Sequence, residues 1–199
     1  PGFIDMMGQS SRVLVTDPPS AESKLRQGIT TYLSGEGGSP APQSEATLSN
    51  PPVVNGDTLR WRTYADYFAI LEDIGIPINV VHDVGLTQVR RVVLGDRDVQ
   101  PSPAEIEEMK ALVRQAMEDG AVGVSTSLIY PPAIYAGTDE LIELARVAGE
   151  YGGVYFTHMR NESYAVLEAI REALEIGEAA GVPVHIYHLK AAGQENWPL

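Results

Sequence analysis

Short apolar runs alternate along this chain with amphipathic segments of helical spacing. Runs rich in β-branched and aromatic residues, at 29–34, 76–81, 121–125, 154–157 and 184–188, are typical of buried strands. Between them, apolar residues recur every three or four positions, as on one face of a helix. This alternation predicts parallel strands joined by right-handed helical crossovers.

Local signals add boundaries to this pattern. Ser102 stands before Pro103 and an acidic first turn, which predicts a helix over 103–119. The remaining predictions are a strand at 2–5, helices over 21–27, 59–74 and 163–180, a helix capped by Thr138, an ambiguous segment at 84–94 and a polar surface loop at 43–58. The elements amount to about six βα units.

Two α/β architectures fit these units, an open doubly wound sheet and a (β/α)8 barrel. A barrel typically needs about 250 residues, whereas this chain has 199 and stops directly after a predicted strand. We therefore expect residues 1–199 to be a fragment, a partial catalytic barrel domain that lacks the last barrel strands. Its missing part, or a second copy of the chain, is then an expected partner.

Composition narrows the functional classes. The net charge of −13 argues against nucleic acid or an anionic membrane as a partner, because both attract clustered Lys and Arg. The absence of cysteine excludes disulfides and a thiolate metal site. No apolar run approaches the length that spans a bilayer, and no signal peptide is evident. We expect a cytoplasmic protein that acts on a small molecule.

His158 and His188 are the strongest candidates for chemistry, since each closes a predicted strand. The carboxyl ends of consecutive parallel strands converge on one rim of a barrel, and imidazole is the commonest metal ligand. Glu36, between glycines after an earlier strand, would add a carboxylate and complete a His₂Glu set. The alternatives are histidines bonded to backbone and a solvated loop glutamate.

Four further residues are candidates for contacts with a substrate. Lys190 follows His188 by two residues and would bind a carboxylate or polarise a carbonyl. Tyr130 and Ser125 belong to a hydroxyl-rich segment after a predicted strand, and Arg160 follows His158. A surface lysine and simple strand-end capping are the alternatives.

The chain also resembles a known family. Residues 1–5, 27–38, 123–140, 157–162 and 181–193 are similar, in the same order, to motifs of the N-acyl-D-amino-acid deacylase branch of the amidohydrolase superfamily. The resemblance implies a (β/α)8 barrel with a small β-sandwich, of which this chain would lack the sandwich portions. It also implies zinc-dependent hydrolysis of an amide, with zinc held by Glu36, His158 and His188.

The chain departs from that family in two segments, at Glu36 and at Met7 with Gln9, and it ends before the segment expected to carry the catalytic residue. Glu36 stands where the D-aminoacylases have Cys, so an anionic ligand is kept. Met7 and Gln9 stand where the superfamily places a His-x-His pair, which favours one zinc per chain over two. The family's catalytic Asp is expected beyond Leu199.

The combined expectation is a zinc-dependent hydrolase of the C–N bond of an N-acyl-amino acid. Lys190 and Tyr130 would orient the substrate beside the metal, and the fragment alone would be inactive. The alternative is an amidohydrolase-like scaffold or binding protein whose catalytic site has decayed, as the loss of the His-x-His pair suggests.

Overall fold

A computed structural model describes residues 1–9 and 11–199 of the chain. Most of its strands are short and parallel, and they alternate with helices as the sequence predicts. The strands are β1 (Phe3–Gly8), β2 (Ile29–Ser34), β3 (Val53–Val54), β4 (Asp57–Thr58), β5 (Asn79–His82), β6 (Val84–Gly85), β7 (Gly123–Ser127), β8 (Val154–His158) and β9 (Val184–Ile186).

The parallel strands lie in the order in which they occur along the chain. One sheet has the order β1-β2-β5 and the next has the order β6-β7-β8-β9. The two are joined at His82 and Asp83: the Asp83 N–H donates to the Ser34 carbonyl (3.3 Å), and the His82 carbonyl accepts from the Val122 N–H (2.9 Å). The α/β fold is confirmed, although within the described residues the succession of strands does not close on itself.

Helices cover one side of this succession. They are α1 (Ser11–Thr16), α2 (Glu22–Leu25), α3 (Tyr64–Ile74), α4 (Leu86–Leu94), α5 (Pro103–Glu118), α6 (Thr138–Glu150) and α7 (Val166–Ala180). Val89, Met109 and Leu144 are fully buried from three of these helices, in one core cluster with Val124 of β7. None of the helices in the described part of the chain combines the length and apolar character that crossing a membrane requires.

Local capping explains where the structure departs from the predicted boundaries. Helix α3 begins at Tyr64 rather than 59, because Thr63 and Asp66 form a capping box that fixes its first turn. The ambiguous segment 84–94 divides into β6 and α4, and the predicted loop at 43–58 contains the β3–β4 hairpin. Helix α7 begins only at Val166, after a turn described below.

Candidate metal centre

Three side chains predicted to bind a metal meet at the carboxyl ends of the strands. Glu36 Oε1 lies 2.9 Å from His158 Nδ1 and 2.9 Å from His188 Nε2. One donor atom from each residue falls within 4.8 Å of the other two. His158 is the last residue of β8, while Glu36 and His188 follow β2 and β9 by two residues. Parallel strands therefore deliver all three to one edge of the sheet.

The loop that carries Glu36 is held by hydroxyls of β7. Glu36 has a φ of +88°, a left-handed conformation that is costly for a residue with a side chain. The Ser127 hydroxyl donates to the Glu36 carbonyl (2.9 Å), and the Gly37 N–H donates to Ser125 Oγ (2.8 Å). These two bonds fix the turn that aims the Glu36 carboxylate at the histidines.

A second carboxylate, Glu162, faces the opposite edges of both imidazoles. Its oxygens lie 3.4 Å from His158 Nε2 and 2.8 Å from His188 Nδ1, and Lys190 Nζ is 2.5 Å away. The Glu162 side chain is only 10% exposed. Sequence reasoning missed this residue because it lies in an irregular turn, where no periodicity predicts its direction.

The two imidazoles thus lie between two carboxylates, and this arrangement favours a cation. Two neutral imidazoles carry two N–H protons, but they make four nitrogen–carboxylate contacts. If the protons face Glu162, the lone pairs of both rings face the anionic Glu36. A divalent cation between Glu36, His158 and His188 would remove that repulsion. Two imidazoles and a carboxylate are a donor set that suits zinc, so the residues present fit the metal.

A cavity of about 670 Å³ opens beside Glu36. Gln9, Gln43, Trp61 and Tyr130 contribute to its wall. The Tyr130 ring lies edge-on to His158, with centroids 5.5 Å apart, and its side chain is largely exposed. The cavity has room for a small molecule next to Glu36, one of the three converging side chains.

The other predicted substrate contacts have structural partners in this arrangement. Ser125 is fully buried and bonds to Gly37, as described above. Arg160 is paired with Glu172 (2.8 Å) and donates to the carbonyls of Ile134 (3.0 Å) and Ala136 (2.9 Å), so it fastens the loop after β7. Lys190 is 49% exposed at the rim. Contacts between these residues and a substrate stay predictions.

The first-strand segment contains no imidazole at the positions where the resemblance implies a pair. Met7 is partly exposed at the end of β1, and Gln9 lines the cavity. Asp5, which precedes them, forms an ion pair with Lys24. The absence of His at 7 and 9 removes the nitrogen ligands that a second metal would need there.

His82 and Asp83, two consecutive ionisable residues at the end of β5, are fully buried. His82, a weaker candidate by sequence, is enclosed by aromatic rings that include Tyr67 (5.3 Å between centroids), and burial lowers its pKa to about 3. Burial raises the pKa of Asp83 to about 7, although the Tyr187 hydroxyl donates to it (3.1 Å). A Cβ at Gly35 would lie 1.8 Å from Asp83, so only glycine fits there.

Comparison of the sequence with known proteins identifies the relatives of this chain. No family model matches the chain. It is 36% identical over 203 residues to the D-aminoacylase of Alcaligenes xylosoxydans xylosoxydans, an alignment that covers 99% of this chain and 41% of that protein. This chain is a homologue of the D-aminoacylases. The predicted resemblance is thereby confirmed.

Solved structures agree with this assignment. The D-aminoacylase homologue superimposes on N-acyl-D-glutamate deacylase from Bordetella bronchiseptica, complexed with zinc and a phosphonate inhibitor, with a TM-score of 0.85 at 34% identity, covering 99% of this chain and 42% of that one. A D-aminoacylase described as having a binuclear metal centre, activated by one metal and attenuated by the second, gives 0.86 at 34% identity, covering 98% and 42%. The homologue therefore spans about two fifths of these proteins.

Proposed function

We propose that the D-aminoacylase homologue supplies the metal-binding part of a zinc-dependent amide hydrolase. One zinc per chain would be held by Glu36, His158 and His188. The observation that carries this proposal is the placement of both imidazoles between the Glu36 and Glu162 carboxylates, at 2.8 to 3.4 Å. The parallel strands follow one another in chain order, and β5 and β6 are separated only by Asp83, so they count as one barrel strand. This order supports a place for them as the first six strands of a (β/α)8 barrel.

The proposed substrate is an N-acyl-amino acid. When bound, zinc supplies a Lewis acid for the scissile carbonyl and lowers the pKa of water. Lys190, which is half-exposed at the rim and paired with Glu162, would also contact the substrate carboxylate. Tyr130 would orient the acyl carbonyl from the cavity wall. A carboxylate from a later strand, beyond Leu199, would move the proton from water to the leaving amine. The names of the relatives support the amide class.

Metal content of the full-length protein tests the site. We expect about one zinc per chain by mass spectrometry, and loss of that zinc in Glu36→Gln, His158→Ala and His188→Ala. His185→Ala is the matched control: it removes a histidine three residues from His188 that lies against Phe156 instead (5.5 Å between ring centroids). Zinc that survives all three ligand substitutions would refute the assignment.

Hydrolysis is tested separately with a panel of N-acetylated D- and L-amino acids. Amine release that depends on zinc supports the enzyme, and the side chain preferred defines the substrate. The alternative of a decayed scaffold is motivated by Met7 and Gln9 at the first strand. A protein without zinc, whose melting temperature is unaffected by a chelator, would favour that alternative. Zinc together with saturable ligand binding but no turnover would favour a binding protein.

A further inference from the structure

We infer that the cavity beside Glu36 binds a carboxylate on the acyl part of the substrate, and that Arg12 and Arg91 contact this carboxylate. The substrate would then be an N-acyl-amino acid whose acyl arm ends in a second acid group. The inference deepens the proposed function and rests on it, since it defines one half of the proposed substrate.

The charges on the cavity wall carry the first step. Among the described residues that line the cavity, only Arg12, Glu36 and Arg91 carry a charge. A divalent cation at the proposed centre would neutralise Glu36, so the two guanidinium groups would leave the cavity positive. The whole chain has a net charge of −13 and repels anions at long range. An anion is therefore attracted only where cations are concentrated, as they are in this cavity.

The charge of Arg12 is available to a ligand. In the described part of the chain, every Lys and Arg forms an ion pair with a carboxylate except Arg12 and Arg97, and Arg97 does not line the cavity. Arg12 Nη1 donates to the Asn50 carbonyl (2.9 Å), which holds this side chain of α1 against the cavity wall. A guanidinium has five N–H donors, so most of those on Arg12 remain for a carboxylate.

Arg91 reaches the cavity from α4. Thr87 and Arg91 are four residues apart, so they lie on one face of this helix, and both line the cavity. Arg91 pairs with the exposed Asp96 through Nε alone (2.8 Å). Its Nη groups make no hydrogen bond to a described residue, so they can bind a ligand carboxylate through two parallel N–H bonds.

The position of the cavity decides which part of the substrate enters it. Lys190, which would contact the α-carboxylate, follows β9 and is not among the described residues of the cavity wall. Arg12 and Arg91 lie on the Glu36 side of the centre instead. The amino-acid side chain shares a carbon atom with the α-carboxylate, so it stays on the side of Lys190. With the scissile carbonyl at the centre, the acyl arm extends into the cavity.

A pair of matched probes tests the subsite in the full-length protein. N-succinyl-D-alanine and N-succinamoyl-D-alanine have nearly the same size, but the acyl arm ends in a carboxylate in the first and in a neutral amide in the second. Calorimetry with a chelator present measures binding without zinc-dependent turnover. We expect the succinyl probe to bind about tenfold more tightly, and this preference to shrink with added salt. Equal binding of the two probes would overturn the inference.

Substitutions connect the preference to the two arginines. Arg12→Gln combined with Arg91→Gln should abolish the preference and leave the affinity for the succinamoyl probe unchanged. Arg26→Gln is the matched control, because it removes an exposed arginine that is paired with Glu22 and does not line the cavity. A preference that survives the double substitution would overturn the inference. A loss of affinity for both probes would also do so, since it would place the α-carboxylate in the cavity.

A second pair of probes moves the extra carboxylate to the amino-acid side chain. N-acetyl-D-glutamate and N-acetyl-D-glutamine should bind equally, and a preference for the glutamate probe that depends on the two arginines would overturn the assignment to the acyl arm. Zinc content and amine release test the proposed function separately. A protein without zinc and without turnover would refute that function, while calorimetry would still decide whether Arg12 and Arg91 bind the extra carboxylate.

Discussion

At the scale of single residues, His82 and Asp83 are consecutive side chains that both resist ionisation when folded. Burial lowers the pKa of His82 from 6.5 to about 3 and raises the pKa of Asp83 from 3.8 to about 7. Between about pH 4 and pH 6.5 the folded state therefore binds fewer protons than the unfolded state at His82, and more at Asp83. The two effects on stability oppose each other as the pH changes.

Single substitutions should separate these effects. The His82→Phe variant places a ring that suits the aromatic surroundings and leaves Asp83 as the only shifted group of the two. The contribution of Asp83 to the free energy of unfolding then grows as the pH falls from 7 towards 4. In Asp83→Asn, His82 remains, and stability is lost as the pH falls from 6.5 towards 3. Each slope approaches about 1.4 kcal/mol per pH unit within its window.

Urea unfolding of the full-length variants at pH 7.5 and pH 5 measures both slopes. Relative to the native protein, His82→Phe should lose less stability on acidification and Asp83→Asn should lose more. Variants that change with pH in parallel with the native protein would contradict the assigned pKa shifts.

Ser127 tests how the strained Glu36 turn is maintained. Ser127→Ala removes the hydroxyl that donates to the Glu36 carbonyl, and the loss of one such bond, about 1 kcal/mol, should weaken zinc binding about fivefold. Chelator competition provides the measurement. Ser23→Ala, which removes an exposed hydroxyl on α2, is the control and should leave the affinity unchanged.

Sequence reasoning predicted the residues of the centre that follow from strand ends and missed those that follow from turns. His158 closes its strand, and Glu36 and His188 follow theirs closely, so the parallel pattern was enough to bring them together. Glu162 depends on a turn shaped by Asn161, and its contact with both histidines is set by tertiary structure. The hydrogen bonds from β7 that hold the Glu36 loop could not be predicted from the sequence either, because they join residues about 90 positions apart.

At the scale of elements, the helix with a capping box in its sequence was predicted most accurately. Ser102 caps α5 as expected, with Glu105 completing the box. The predicted cap at Thr138 was wrong, because Thr138 is the first residue of α6 and the N-cap is Gly137, which has no side chain to bond.

The sequence pattern over 84–94 did not show where a strand ends and a helix begins. The strand β6 has only two residues, and α4 buries polar as well as apolar side chains, so neither produces a clear periodicity. Arg90 is the clearest example: it is fully buried and bonded to Glu140 of α6 at 2.5 Å.

Removing one partner of the Arg90–Glu140 pair should lower the free energy of unfolding far more than replacing both partners with apolar residues. Arg90→Met leaves the Glu140 carboxylate buried without its partner and should lower the free energy of unfolding by about 3–5 kcal/mol. Arg90→Met combined with Glu140→Leu should recover most of that loss, because both desolvated charges are then removed. Urea unfolding of the single and double variants provides the comparison; a single variant within 1 kcal/mol of the native protein would argue against a buried pair.

At the scale of the whole molecule, the succession of strands has two outer strands, β1 and β9. Phe3 and Ile4 of β1 are 73% and 58% exposed, which is unusual for strand residues of this type. Unpaired strand edges with apolar side chains promote association.

Residues 1–199 expressed alone should therefore associate. We expect oligomers or aggregates by size-exclusion chromatography with light scattering, and binding of a hydrophobic dye, in contrast with the full-length protein. Phe3→Ser with Ile4→Thr should reduce the association. A monodisperse monomer of the native span that melts cooperatively would contradict the prediction.

The cavity wall is built differently from the metal centre. About two fifths of its residues belong to one continuous stretch, 38–50, which follows Glu36 and ends before the β3–β4 hairpin. The two histidines, in contrast, come from the ends of the distant strands β8 and β9. Substitutions in this one stretch can therefore reshape much of the cavity wall without touching either histidine. The same separation makes this stretch a natural unit to exchange with the corresponding stretch of a relative.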